Sequence, residues 1–390
     1  MSPEAVGYLE PLIDKQLAAS VHGYSKKETN LQLAKHLRIL FVGDLNYYAK
    51  GASRLKAMEQ LGATVIGLPH TPFGNTQTGT SSISLYFRLA WKLGVHIDTE
   101  QVNQKIQTIA AIEKPDLLWI EKGNMIRPST LKAVRARSPA TIIASYSDDD
   151  MFHPINHTRA YLGCLPLYDA VFTTKSYNAN PDELPRLGAK HCVMVDKAYD
   201  PDQHKQVELT AAESAELGAD ISFIGSFAPE RGETLNFLGD NGISVVVWGN
   251  GWSGFTPTSP NITIKNQALV NTPDDLRFTK GINGSRINLC FLRKINRDLQ
   301  TDRSIEIPAS GGFMVAERSP EHDRLFEDGK EAIYFEGNAE LLEKTRYYLA
   351  HEDQRAKIAL AGYERSRRSD YSHENRMADM LTDVLKIPQS

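Results

Sequence analysis

Short apolar runs separated by helical segments recur along the first half of the chain. The first run is RILFVGD at residues 38–44, which ends in a glycine and an aspartate. Similar runs follow as ATVIGLP, PDLLWIE (115–121), TIIASYS (141–147), DAVFTT (169–174) and HCVMV (191–195). Apolar runs of about four to eight residues are typical of strands buried on both faces. Their alternation with helical segments predicts a parallel sheet covered by helices.

A second series of apolar runs begins after a polar, turn-rich segment. ADISFIGS at residues 219–226 is followed by ISVVVWGNG, NITIKN, RINLCFL, GFMVAER and EAIYFEG. We therefore predict an α/β protein in which two Rossmann-like parallel-sheet domains face a central cleft. Ligands of such sheets bind outside the carboxyl ends of the strands, so the cleft is the expected site.

The two series of runs divide the chain into five predicted parts. A helical lead-in at 1–36 precedes an N-terminal Rossmann-like domain at 37–200. A linker at 201–218 leads to a C-terminal Rossmann-like domain at 219–369, and a helix occupies 370–390. That last segment, DYSHENRMADMLTDVLKI, is apolar at helical spacing. It either caps its own domain or crosses back to the N-terminal half.

Composition and charge narrow the function classes. The net charge of −4 gives no reason to expect a nucleic-acid partner, which usually requires a basic domain. Three cysteines without a CxxC pair indicate neither a zinc cluster nor a disulfide framework. The N-terminus lacks the basic start and apolar stretch of a signal peptide, and the apolar runs are too short to span a membrane. We expect a cytoplasmic protein.

The stretch TDRSIEIPASGG at residues 301–312 combines residue types that suit a phosphate and a sugar hydroxyl. Thr301 is suited to cap a helix whose first turn then holds Arg303 and Ser304. Free backbone N–H groups in that turn, with the planar guanidinium of Arg303, favour an anion. Glu306 projects about 60° from Arg303 around the helix and can accept from a ribose hydroxyl. The alternative is a capped helix with a surface Glu306–Arg303 pair.

Other candidates lie where predicted strands end. Gly311 and Gly312 end the helix early and let backbone approach a ligand. Asn250 lies in WGNGW at 248–252, whose glycines could admit a nucleobase; Trp252 could stack on that base or simply pack in the core. Lys50, after the first strand, either faces the phosphates of a ligand across the cleft or belongs to an ordinary turn.

Three consecutive acids follow the strand at 141–147. Asp148 or Asp149 could bind a substrate hydroxyl or take its proton, and both could instead be helix-capping acids. Asp148 and Asp150 form a D-x-D pair of the kind that can hold a metal and a diphosphate, but we expect no metal here. His153 and His157 are spaced as two metal ligands on one helix would be, without an evident third, so exposed or capping roles are the default.

The residues around this stretch carry a resemblance. TDRSIEIPASGGFMVAERSPEHDRLFEDGKEAIYF, followed by LLEKTRYYLAHEDQRAKIALAGYERS, resembles the C-terminal domain of the CgeB-like glycosyltransferases, which are relatives of glycosyltransferase family 4 with the GT-B architecture. ISFIGSFAPERGETLNFL resembles the first strand and loop of that domain. YDAVFTTKSYN and LGAKHCVMVDKAYDPDQH resemble the last part of the family's N-terminal half. The likeness covers roughly residues 115–375.

The resemblance assigns roles to individual residues. Glu306 takes the place of the ribose-binding glutamate, and Asp298 stands eight positions earlier, where a glutamate that contacts the donor sugar is usual. Arg231 takes the place of a diphosphate-binding lysine. Ser226 stands where an arginine is usual, and Arg303 is expected to compensate for that missing cation.

The resemblance also implies a function. A nucleoside-diphosphate sugar would bind the C-terminal domain, with Gly311 and Gly312 in place of the family's glycines under the phosphates. An unknown glycan, protein or small-molecule acceptor would face the N-terminal domain. We expect transfer of a hexosyl group with retention of the anomeric configuration. We expect neither a cofactor nor a metal. Two alternatives stay open: a nucleotide-sugar epimerase-like enzyme, and a non-catalytic protein that binds nucleotide or glycan.

Overall fold

A computed structural model describes residues 33–71 and 85–387 of the 390-residue chain. Within these residues the chain forms two parallel sheets, one in each half, with helices on their faces. The lead-in helix predicted at 1–36 lies outside the described residues, apart from a turn at 33–36.

The N-terminal sheet has six strands among the described residues. They are β1 Arg38–Gly43, β2 Thr64–Pro69, β3 Leu117–Glu121, β4 Ile142–Ser147, β5 Ala170–Thr173 and β6 Cys192–Met194. Their order across the sheet is β2-β1-β3-β4-β5-β6, and neighbouring strands are parallel. The central β3 alternates between two cores, because successive strand side chains point to opposite faces. Leu118 and Ile120 pack on one face, and Leu117 and Trp119 on the other.

The described part of the C-terminal half repeats this arrangement. Its strands are β7 Ala219–Ile224, β8 Val245–Trp248, β9 Ile262–Ile264, β10 Ser285–Cys290, β11 Met314–Glu317 and β12 Ile333–Phe335. Their order is β12-β11-β10-β7-β8-β9, again parallel throughout. The α/β fold with two Rossmann-like sheets is thus confirmed, and each of the twelve predicted apolar runs coincides with a strand.

Helices cover both sheets. In the N-terminal half they are α1 Lys50–Gln60, α2 Leu85–Lys92, α3 Val102–Glu113, α4 Pro128–Arg137 and α5 Arg159–Cys164. From the predicted linker onwards they are α6 Ala211–Leu217, α7 Pro229–Asp240, α8 Arg277–Asn283, α9 Asp302–Ala309, α10 Pro320–Leu325, α11 Asn338–Ala350, α12 Glu352–Arg368 and α13 His373–Leu385. Short 3₁₀ turns lie at Leu165–Leu167, Ser176–Ala179, Pro185–Leu187, Trp252–Gly254 and Lys294–Asn296. None of the helices in the described ranges is long and apolar enough to cross a bilayer.

The last helix, α13, packs on the N-terminal half rather than on the domain that precedes it. Its buried side chains Met377, Met380, Leu381 and Val384 share a core with β1, β3 and α1. The chain therefore passes between the halves twice. The two passing segments are bonded to each other: Tyr199 N–H donates to the Tyr371 carbonyl at 3.1 Å, and His373 N–H donates to the Tyr199 carbonyl at 2.9 Å.

This packing predicts unequal effects of two leucine substitutions on the same helix. Leu381 is fully buried, whereas Leu385 is 46% exposed. Leu381→Ala is expected to lower the free energy of unfolding by about 2–5 kcal/mol, because it leaves a cavity under the N-terminal sheet. Leu385→Ala should change it by less than about 0.5 kcal/mol. Equal effects in urea denaturation would mean that α13 does not dock in this way.

Candidate functional site

The loops at the carboxyl ends of the two sheets meet in a cleft crossed by ion pairs. Lys50, which begins α1, pairs with Glu306 of α9. Lys175 follows β5 and lies 2.5 Å from Asp298 in the loop after β10. Lys197 follows β6, and its Nζ lies 3.2 Å from an oxygen of Asp302. The predicted position of the site, between the carboxyl ends of both sheets, is therefore where charged residues from the two halves come together.

Glu306 is buried and surrounded by cationic or polar nitrogen. Besides Lys50, its carboxylate lies 3.4 Å from the Arg303 guanidinium and 3.4 Å from His204 Nε2. His204 Nε2 faces Glu306, and its Nδ1 lies 3.1 Å from both the Asp200 amide nitrogen and the Asp200 carbonyl oxygen. Burial alone would raise the pKa of Glu306, but the charges of Lys50 and Arg303 hold it well below its usual value. Glu306 is an ionised acceptor.

The helix that carries Glu306 starts as predicted. Thr301 caps α9, and its N–H donates to Ser304 Oγ at 2.9 Å. Ser304 is fully buried, and its hydroxyl lies 2.6 Å from His322 Nε2. Because His322 Nδ1 donates to the Glu317 carbonyl at 2.6 Å, Nε2 accepts the hydroxyl proton. Burial lowers the pKa of His322 to about 4, so the ring is neutral. Thr301 and Ser304 thus use their side chains to build the helix start.

Two arginines lie at the end of β7. Arg303 Nε donates to the Ile224 carbonyl at 3.2 Å, and its guanidinium lies over Phe278. Arg231, on α7, donates to the Ser226 carbonyl at 2.9 Å and to the Phe291 carbonyl at 3.3 Å.

Arg231 carries a charge that no acid neutralises within the described ranges. The residue is 8% exposed, it forms no ion pair there, and its Nε has no hydrogen-bond acceptor. Burial lowers its pKa from the usual value, the direction expected of a desolvated cation. A buried guanidinium without a carboxylate is costly unless an anion completes its surroundings.

Asp148 lies in a dense charged network rather than free in the cleft. Its carboxylate accepts from Lys197 at 2.7 Å, from Tyr146 at 2.9 Å and from Arg54 at 3.3 Å. Arg54 is itself buried and bonded to Glu121. Burial alone would raise the pKa of Asp148, but Lys197 and Arg54 hold it far below the usual range. An aspartate bound in this way is a poor proton acceptor.

The other predicted acids have separate partners. Asp149 is partly exposed and bonded to Lys122. Asp150 is fully buried and accepts from Arg297 Nε at 2.6 Å. Asp298 is buried against Lys175. The D-x-D acids therefore point to different cations, and the part of the chain that the structure describes contains no group of three potential metal ligands. The rings of His153 and His157 bond to nearby backbone.

Four further predicted residues lie away from α9's first turn. Gly311 and Gly312 follow the C-terminal end of α9, about 12 Å along the helix from Thr301. Gly311 has a φ of +79° and a Cβ there would lie 2.5 Å from Gln206, which accounts for a glycine without a ligand. Asn250 follows β8 at the carboxyl edge, where its carbonyl accepts from the Phe227 N–H at 2.9 Å. Trp252 is buried among Phe223, Phe227 and Phe255, so it packs rather than stacks on a ligand.

Three cations in the cleft had no role in the sequence interpretation: Lys175, Lys197 and Arg297. Arg297 bonds both Asp150 and Glu183 across the cleft. The two lysines could have been found, because each follows an apolar strand, in VFTTK and VMVDK, at the edge where ligands bind. Their acidic partners in the C-terminal half, Asp298 and Asp302, could not have been found, because these contacts depend on how the two halves meet.

Part of the chain matches a known protein family. Residues 231–382 match the family model described as Glycosyl transferase-like. No curated protein sequence matches the chain.

The whole fold is similar to solved glycosyltransferase structures. Sucrose-phosphate synthase from Thermosynechococcus elongatus is 11% identical with a TM-score of 0.62, covering 90% of this chain and 98% of that one. An alpha-glucosyltransferase in complex with UDP-glucose and DNA containing an abasic site is 11% identical with a TM-score of 0.63, and the match covers 90% of this chain and 100% of that one. HepE from Anabaena in complex with UDP and glucose is 10% identical with a TM-score of 0.55, and the match covers 90% of this chain and 99% of that one. The predicted GT-B architecture is confirmed.

The charge around Glu306 predicts a pH dependence of stability. Because its folded pKa is depressed below the ordinary 4.5, the carboxylate stabilises the fold above that value and loses this contribution as pH falls through the folded pKa. The difference in free energy of unfolding between wild type and Glu306→Gln should be constant from about pH 7 to about pH 5 and shrink below. Glu343→Gln, at an exposed position on α11, is the control. A difference that stays unchanged down to about pH 3 would contradict this prediction.

Proposed function

We propose that this protein is a GT-B glycosyltransferase that transfers a hexosyl group from a nucleoside-diphosphate sugar to an acceptor in the N-terminal half. The observation that carries the proposal is the buried guanidinium of Arg231, which has no acidic partner in the described residues. Arg231 and Arg303 bond to Ser226 and Ile224, two residues apart, so both guanidinium groups lie at the end of β7. A diphosphate supplies the missing charge.

The rest of the donor fits around this anion position. Arg303 is in the first turn of α9, whose free N–H groups favour a phosphate, and Glu306 follows it by three residues. An ionised carboxylate has about four lone-pair sites, and Lys50, Arg303 and His204 approach three of them, so Glu306 can accept from one ribose hydroxyl while keeping these partners. Diphosphate and ribose are adjacent in a nucleotide, as Arg303 and Glu306 are on α9.

The proposed reaction breaks the bond between the sugar's anomeric carbon and the diphosphate oxygen. The bonding electron pair leaves with the diphosphate, and an acceptor hydroxyl oxygen forms the new bond and releases its proton. Fixed positive charge at the leaving oxygen commonly provides the largest share of such catalysis. Arg231, Arg303 and the α9 amides supply that charge here.

The donor base is tested first with UDP, because similar structures were solved with UDP or UDP-glucose. Thermal melting with UDP, GDP, ADP and TDP is expected to show stabilisation by one of them. A ligand at about 100 times its dissociation constant adds about 2.7 kcal/mol, or several degrees. Glu306→Ala should lose most of the shift, and Glu343→Ala should keep it. No shift with any nucleotide would favour a protein that binds only glycan.

Asp149 is the better proton acceptor of the two acids named from the sequence. Unlike Asp148, it has one cationic partner, Lys122, and its side chain reaches solvent in the cleft. Asp149→Asn is expected to lower kcat for donor turnover by about 100-fold or more, with nucleotide affinity unchanged. Asp202→Asn, an exposed acid near the linker, is the control. Full activity of Asp149→Asn would exclude this role.

Product analysis distinguishes the finer alternatives. Transfer to an acceptor, or hydrolysis of the sugar from the nucleotide, separates a transferase from an epimerase-like enzyme, which would return an altered sugar nucleotide. The anomeric configuration of the product tests the retention that the family 4 resemblance implies. Membership of the CgeB-like group is part of the same proposal and rests on the motifs at residues 221–238 and 301–335.

A further inference from the structure

A lysine of the N-terminal half reaches the start of α9 in the C-terminal half. Lys197, only 6% exposed, follows β6. Its Nζ lies 2.7 Å from Asp148 and 3.2 Å from Asp302. Asp302 is the first residue of α9, so the ammonium group lies beside the turn whose N–H groups lack partners within the helix. The two halves thus share one anion position.

Asp302 is an unexpected neighbour for a bound diphosphate. An aspartate in the first turn stabilises the helix when the site is empty. When a diphosphate arrives, the same charge would repel it. The Asp302 side chain is 29% exposed and can turn towards solvent, whereas Lys197 is buried and held by Asp148, which Arg54 and Tyr146 also bind.

The C-terminal half alone has few cations for a diphosphate. Ser226, whose carbonyl accepts from Arg231, carries no charge, and the Arg303 guanidinium is shared with Glu306. An ammonium has three donors, and Lys197 uses two of them on Asp148 and Asp302. One donor remains, and displacing Asp302 would free a second for phosphate.

We propose that Lys197 is a diphosphate-binding residue supplied by the opposite domain. In the empty site the Asp302 carboxylate occupies the diphosphate's position beside Lys197, and the diphosphate displaces it on binding. This inference rests on the proposed donor site and adds a third cation to Arg231 and Arg303. Because Lys197 comes from the acceptor-side half, the diphosphate is bound by both halves at once. Donor binding then depends on the two halves being in contact.

The test compares Lys197→Met and Asp302→Asn by calorimetric titration with inorganic pyrophosphate, with the nucleoside diphosphate chosen by melting, and with its nucleoside. Lys197→Met is expected to weaken both diphosphate ligands about 10- to 100-fold, as loss of a charged hydrogen bond does, and to leave the nucleoside unchanged. Asp302→Asn is expected to tighten both diphosphates, because it removes the competing carboxylate. Lys280→Met, which also removes a lysine between two carboxylates, is the matched control.

The outcomes separate this inference from the proposed function. Wild-type protein that binds no diphosphate would overturn the donor site and this inference together. Wild-type binding that persists unchanged in Lys197→Met would overturn the inference alone. If Lys197→Met does not fold, as judged by circular dichroism, Asp302→Asn decides: tighter diphosphate binding supports the displacement, and equal or weaker binding overturns it.

Discussion

The structure depends on one constraint: charges buried where the two sheets meet find their partners on the opposite half. Lys50, Lys175 and Lys197 extend from the N-terminal half to acids of the C-terminal half. Arg297 extends in the other direction, to Asp150 and Glu183. Removing one member of such a pair leaves a buried charge unpaired, which is far more costly than losing a surface pair. The charged residues of the cleft therefore also determine how the two halves are positioned relative to each other.

The fold could be predicted from the sequence because each strand is determined by a pattern of residues that are adjacent in the chain. A parallel strand covered on both faces must be apolar at nearly every position, so a run such as LLWIE identifies β3 without knowledge of its neighbours. The start of α9 was equally local, since Thr301 and the residues after it carry their own capping pattern. The return of α13 to the N-terminal half could not be predicted in this way, because an apolar helix face does not indicate which hydrophobic core it will join.

The candidate site was predictable only in part, for the same reason. Glu306 and Arg303 were placed together by helical spacing, and the structure brings them together. Asp148 was predicted as an acceptor ligand or proton acceptor and Asp298 as a contact to the donor sugar; in the structure each is bound by a lysine more than 40 residues away in sequence. For Gly311 and Gly312 two interpretations were possible, since a glycine needed by a tight helix end looks the same as one that admits a phosphate. Long-range pairing decided which interpretation applies.

The double passage of the chain between the halves has a mechanical consequence. A single connecting segment would let the two halves bend and twist freely about it. Here the segments around Tyr199 and Tyr371 run side by side and are joined by backbone hydrogen bonds, so they behave as a two-stranded strap. Such a strap bends across its width but resists rotation of one half against the other. Rotation of one half against the other would have to break these two hydrogen bonds, whereas a hinge opening of the cleft could keep them.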